Sequence, residues 1–200
     1  MLGNGTWLIP TILFGIYFSP EFAGLYALNI TMLQIPSSLL GGAISNVFFQ
    51  KANEAHNNGS LQEVTNKLFI HLTALCVLPY MILSLIGGDL FAFVFGVEWQ
   101  QAGVYAQYLA PWAILWFLSS PFTVLFSVLE KQDVQLKWNI LNFVTRISSI
   151  LVAIYFESET LAIILFSISG TIIYGYKIFI TCQIVGISIK KVVSIFLKKL

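Results

Sequence analysis

Arg146 falls near the middle of an apolar run over 138–156. A charge there costs at least about 2.5–3.5 kcal/mol on insertion scales and normally faces a cavity or a partner. Ser149, Asn142 and Asn139 lie three, four and seven residues from it, spacings that put all four side chains on one helix face. A guanidinium fork among amide and hydroxyl groups suits an anionic ligand such as a phosphate. The alternative is that Arg146 snorkels to the interface or pairs with a carboxylate on a neighbouring span.

Other apolar runs carry weaker versions of this pattern. Ser167, Gly170, Tyr174, Lys177 and Thr181 share a face over 160–182, which could line a cavity or allow close helix packing. Lys177 stands near the end of that run, where snorkelling is the favoured reading and ligand binding the other. Gln34, Ser38, Gly41 and Ser45 form a small and polar stripe over 23–49, read first as packing and second as cavity lining. His71 reads as a structural histidine rather than a proton sensor. Cys76 and Cys182 sit in apolar stretches as small buried hydrophobes. No phosphate-binding glycine loop, zinc motif or nucleophile–base set is written in the chain. Catalytic residues, cofactors and metal ligands are therefore not expected.

The elements that position these residues follow from composition. Of 200 residues, 58% are hydrophobic and 10% charged, against roughly 25% charged in soluble domains. So small a core cannot hide that much apolar surface, which excludes a water-soluble domain. A net charge of +1 argues against nucleic acid as a partner. At about 20 apolar residues per crossing, the fold class is all-α, a polytopic membrane protein of about six transmembrane helices. The spans are expected near 1–18, 23–49, 66–86, 102–129, 138–156 and 160–182. Pro36, Pro111 and Pro121 predict bends in the second and fourth. The first is interrupted by Gly3, Gly5 and Pro10, and the chain reads as part of something longer. Residues 183–200 predict a basic amphipathic tail, with Lys190, Lys191, Lys198 and Lys199 flanking an apolar side.

Charge then orients the spans. Connections after the first, third and fifth carry Glu21, then Asp89 and Glu98, then Glu157 and Glu159, and no lysine or arginine. Connections after the second and fourth carry Lys51 and Lys67, then Lys131 and Lys137. The basic side, including the C-terminus, is expected in the cytoplasm. The segment 87–101 is expected to lie as an apolar loop in the outer interface, with Trp99 as a headgroup-level anchor.

The order of residues adds a resemblance. Its carriers are G-x-Y at Gly24 and Tyr26, Pro36 with the small residues after it, and V-F-F-Q-K-A from Val47 to Ala52. F-G-x-E-W from Phe95 to Trp99, A-G-x-Y after it, and Ser120–Pro121 leading to L-E-K-Q complete the set. The stretch resembles the C-terminal half of bacterial polysaccharide transporters, the O-antigen or lipid-linked oligosaccharide flippases of the multidrug/oligosaccharidyl-lipid/polysaccharide exporter superfamily. The resemblance implies two six-helix lobes around a central cavity, of which residues 1–182 supply the C-terminal one. It implies a multi-pass protein of the bacterial inner (plasma) membrane that is a transporter and not an enzyme. Undecaprenyl-pyrophosphate-linked repeat units would cross by alternating access for lipopolysaccharide and other surface polysaccharides. Its partners would be that lipid-linked substrate, the missing N-terminal lobe, membrane lipids and the polysaccharide polymerisation machinery. Arg146, Asn142, Asn139, Ser149, Lys177 and Gln34 are the candidate substrate-binding residues on physical grounds, since no motif of the family marks them. A cation-coupled drug exporter of the same superfamily and a non-transporting scaffold for polysaccharide assembly are the alternatives. The exporter would prefer a buried acidic residue, and the carboxylates here sit at span boundaries.

Overall fold

The computed structural model describes residues 2–188, with the side chains of 2–7 and 37–40 left aside. Among the described residues the regular structure is entirely helical. Helix α1 runs Leu2–Tyr17, α2 Pro20–Asn57, α3 Leu61–Phe95, α4 Gln100–Ser119, α5 Leu125–Val128, α6 Gln132–Tyr155 and α7 Glu159–Val185, with 3-10 turns at Val97–Trp99 and Pro121–Val124. Of the tail expected over 183–200, residues 183–185 belong to α7, and those from 189 onward lie outside the described residues.

Local chemistry sets these boundaries. Ser19 caps α2 by accepting from the Phe22 amide at 3.0 Å, with Pro20 in the first turn. Ser158 caps α7 through the Leu161 amide at 3.3 Å, and Gly186 closes that helix with φ 78°, a left-handed conformation that favours glycine. Lys51, Glu54, Glu63 and Lys67 end the apolar runs of α2 and α3 without ending the helices, because lysine and glutamate are good helix formers. The segment 50–65, read as a connection, is therefore helical except around Asn58–Ser60. The segment 87–101, expected as a loop, differs similarly: α3 continues through it to Phe95.

Four helical units are long and apolar enough to cross a bilayer: Leu61–Phe95, Val97–Val128, Gln132–Tyr155 and Glu159–Val185. A fifth forms if Pro20–Pro36 and Gly41–Asn57, bent by 44°, make one span. In the first expected span the apolar helix is the shorter Leu8–Tyr17, whose ten residues rise about 15 Å. Leu78, Leu85, Val144, Leu151, Ile168 and Ile172 are exposed along α3, α6 and α7. Such a surface needs hydrocarbon, not water, around it. The chain is a multi-pass membrane protein.

Helix α4 is central, packed on α3 at one side and α7 at the other. Its Leu109, Ala110, Trp112 and Ala113 are fully buried. An aromatic chain threads the same core: Phe14 meets Tyr26 at 4.9 Å between ring centroids, Tyr26 meets Phe166 at 5.5 Å, and Phe166 meets Trp112 at 5.3 Å.

Breaks in the helices are repaired by side chains from neighbours. Pro36 has no amide hydrogen for the Met32 carbonyl, and the Tyr80 hydroxyl donates to the neighbouring Leu33 carbonyl at that bend, at 2.9 Å. Helix α3 leaves helical geometry at Ile86 (φ −127°, ψ 21°), the residue at which the third span is expected to end, and then resumes to Phe95. Gln107 on α4 donates its amide to the carbonyls of Ser84 and Leu85 beside it, at 3.3 and 2.9 Å. Tyr80→Phe removes one buried bond at the bend. It is expected to cost about 1 kcal/mol, read as a small drop in melting temperature of the detergent-solubilised protein. An unchanged melt would mean the bend does not depend on that hydroxyl.

Candidate functional site

One face of α6 carries Trp138, Asn142, Arg146, Ile150 and Ala153, all buried. The spacing of three and four keeps them in line, and the face packs on α7. The polar stripe thus enters a helix–helix seam.

Arg146 is 1% exposed. Its guanidinium lies over the Phe166 ring at 3.7 Å and the Trp112 ring at 4.6 Å from the centroids, and Nη1 donates to the Phe166 carbonyl at 2.9 Å. Gly170 makes room for it, since a Cβ there would stand 2.5 Å from Nη2 and 2.5 Å from Trp112 Cδ1. No carboxylate of the described residues comes within ion-pair distance of it. The charge is held by aromatic faces and a carbonyl dipole, not by an anion. Arg146 neither snorkels nor pairs with a carboxylate.

The second cation of the seam is Lys177, 5% exposed. Its ammonium donates to Thr123 Oγ1 at 2.8 Å and lies 4.4 Å from the Trp138 ring and 5.9 Å from the Tyr174 ring. The favoured snorkelling reading is corrected here. A hydroxyl and an indole face inside the bundle give the ammonium an inward solvation shell, so it does not run out to the headgroups. Trp138 is itself fixed by its indole N–H to the Ile173 carbonyl at 3.1 Å.

Lys177 and Gly170, which touches Arg146, are seven residues apart on α7, so the two cations are separated by about 10–12 Å along the seam. Asn142 lies between them on α6, 5% exposed. Its Oδ1 and the Arg146 Nε are buried without a protein hydrogen-bond partner, an arrangement native interiors seldom tolerate without a functional reason. Ser149 is half-buried, donating to the Arg146 carbonyl at 2.8 Å, with the Ser169 hydroxyl 3.5 Å away. Asn139 is half-buried one turn before Asn142. Gln34 is not brought to the seam: it is half-buried on α2, which packs on α1, α3 and α4. Chemically, the seam offers two positive charges and an amide to anionic or hydroxyl-rich groups, closed over by aromatic rings.

Three residues that complete the site escape a reading by spacing. Trp138 carries a signal, lying eight residues before Arg146 on the same face. Phe166 and Thr123 have none, being 20 and 54 residues from the cations they hold. His71 turns Nδ1 to the Lys67 carbonyl of its own helix at 2.6 Å, the contact of a structural histidine. Cys76 and Cys182 are buried free thiols.

The family described as "Polysaccharide biosynthesis protein" matches residues 7–104, just under half of the chain. Over that stretch the chain is similar to the polysaccharide biosynthesis protein family. Comparison with curated proteins and with solved structures returned no match. The matched residues run through α1, α2, α3 and the start of α4. Its α6–α7 seam lies beyond the matched residues. The similarity supports a role in polysaccharide biosynthesis or transport.

Proposed function

We propose that the chain is part of a flippase that carries undecaprenyl-pyrophosphate-linked oligosaccharide repeats across the bacterial plasma membrane, for O-antigen, lipopolysaccharide or related surface polymers. The observation that carries this reading is the family match over residues 7–104, falling on a multi-pass helical chain. A membrane protein of polysaccharide assembly must handle a substrate with a pyrophosphate and many hydroxyls. Arg146 and Lys177, buried without a carboxylate, are the groups suited to that pyrophosphate, and Asn142, Asn139 and Ser149 to sugar hydroxyls. In this arrangement the cations rest on aromatic faces. Parting of α6 from α7 would present them to the substrate, and their return would release it. Gln34 would contribute only from a cavity wall formed with the N-terminal lobe of the same protein. The C-terminus and the Asn58–Ser60 turn would face the cytoplasm.

The cation-coupled exporter reading is disfavoured, because all nine carboxylates lie in connections, in end turns of helices or at exposed positions. Deleting the gene in its host and extracting lipids tests the proposal. Undecaprenyl-linked oligosaccharide should accumulate inside while surface polymer disappears. If neither changes in a strain without a redundant exporter, the flippase reading falls, and the drug-exporter and scaffold readings replace it.

A further inference from the structure

Away from the polar seam, α2 and α3 splay to leave a groove of about 650 Å³. Its floor and walls are apolar: Ala43, Ile44, Val47 and Phe48 from α2, Val64 and Leu68 from α3. Lys51, Lys67 and His71 line the same groove. The two helices are antiparallel about the Asn58–Ser60 turn, so depth follows from position. Lys51 is six residues before the end of α2 and Lys67 six after the start of α3, each about 9 Å from the turn at 1.5 Å per residue. Val47, Ile44 and Ala43 continue toward the middle of the bundle. The cations therefore sit at one level and the apolar lining runs inward from it.

We propose that this groove binds a membrane lipid with an anionic phosphate headgroup, its phosphate between Lys51 and Lys67 and its chain along Ile44, Val47, Phe48 and Leu68. The occupant follows from the two chemistries of the lining. Apolar surface of this size takes hydrocarbon, with a volume typical of small-molecule sites. Paired lysines at headgroup level take phosphate, as basic pockets between spanning helices do. A soluble phosphate would leave the apolar lining unused, and an uncharged lipid would leave the lysines unused. Lys67 is 2.7 Å from Glu63 in an exposed pair. Such a pair is weak, so a phosphate can share the ammonium. Both His71 and Lys67 belong to the groove, and the Nδ1 contact of His71 with the Lys67 carbonyl turns its other ring nitrogen from the backbone. The proposal concerns lipid binding alone and holds or fails independently of transport.

Native mass spectrometry of the purified full-length protein tests it, with dioleoyl phosphatidylglycerol and dioleoyl phosphatidylcholine titrated in turn. Phosphatidylglycerol should bind and phosphatidylcholine should not compete. Lys51→Ala and Lys67→Ala should each weaken binding about fivefold, whereas Lys131→Ala and Lys137→Ala together should not. Val47→Trp fills the groove while keeping both lysines, and Val47 is 53% exposed, so the fold has room for it. That variant should lose the lipid. Retained binding in Val47→Trp would reduce the effect to surface attraction and overturn the proposal, as would equal binding of phosphatidylcholine. Displacement by millimolar inorganic phosphate alone would assign the lysines to a soluble ion and overturn it too. A photo-reactive residue at position 47 should capture lipid in cells; capture of another stretch of the transporter would make the groove a protein interface instead.

Discussion

Gly103→Ala is expected to destabilise the protein by about 3 kcal/mol, the upper part of the range for overpacking a close-packed interior. A Cβ at 103 would press on the Gly87 carbonyl oxygen and stand 2.6 Å from the Gly87 carbonyl carbon and 2.7 Å from the Gly88 Cα. These are backbone atoms of α3 and cannot rotate aside. Separating the helices would also pull Gln107 from the Ser84 and Leu85 carbonyls that it serves at the Ile86 break, adding unmet polar groups to the steric cost. Gly24→Ala is the matched control, because nothing stands within 4 Å of a Cβ there. Thermal unfolding of the detergent-solubilised protein should show a large drop for the first and almost none for the second. Coincident melts would rule out backbone contact between α3 and α4.

Arg146→Met is expected to abolish polysaccharide export while leaving the fold at least as stable as before. The two sides nearly cancel, and the apolar volume that methionine supplies tips the balance. The guanidinium gives up roughly 2 kcal/mol of cation–π attraction and about 1.5–3 kcal/mol of charged hydrogen bonding on removal. Burying an ion without a counter-ion costs several kcal/mol even after relaxation. Methionine fills most of the volume and removes that cost. Arg146→Ala lacks the filling and should lose stability as well as export. Arg146→Lys keeps a charge but not the planar fork between Phe166 and Trp112, and should export at an intermediate level. Surface polymer measured beside melting temperature separates the two roles. Normal export by Arg146→Met would leave the cation a structural element only and remove it from the site.

Periodicity made the helices legible and put Asn142, Arg146 and Ser149 on one face, because both facts are local. What closes that face is not local. Phe166, Trp112 and Thr123 meet the cations across helices, and nothing in the spacing of α6 or α7 records them. That is why Lys177 read as a snorkelling end-residue although it has an inward partner. Charged residues concealed the true length of α2 and α3: Lys51, Glu54, Glu63 and Lys67 interrupt hydropathy but not helix. The end expected at residue 86 marked the break at Ile86, but that the helix resumes beyond it was hidden, since Gly87 and Gly88 can be read as loop, packing face or break until Gly103 is seen against them. Gln34 illustrates the converse: a polar residue on a plausible stripe ended outside the seam, although Tyr26 of the same helix packs on Phe166.

Two positive charges about 10–12 Å apart with no negative group between them also have an electrical consequence. A univalent cation midway along the seam would lie about 5–6 Å from each. At an effective dielectric of about 20, each protonated group would repel it by roughly 3 kcal/mol, about 6 kcal/mol together. That lowers its occupancy by about four orders of magnitude. The seam is a barrier to protons and sodium and a trough for anions, so any inward cation current that accompanies turnover must run along other walls.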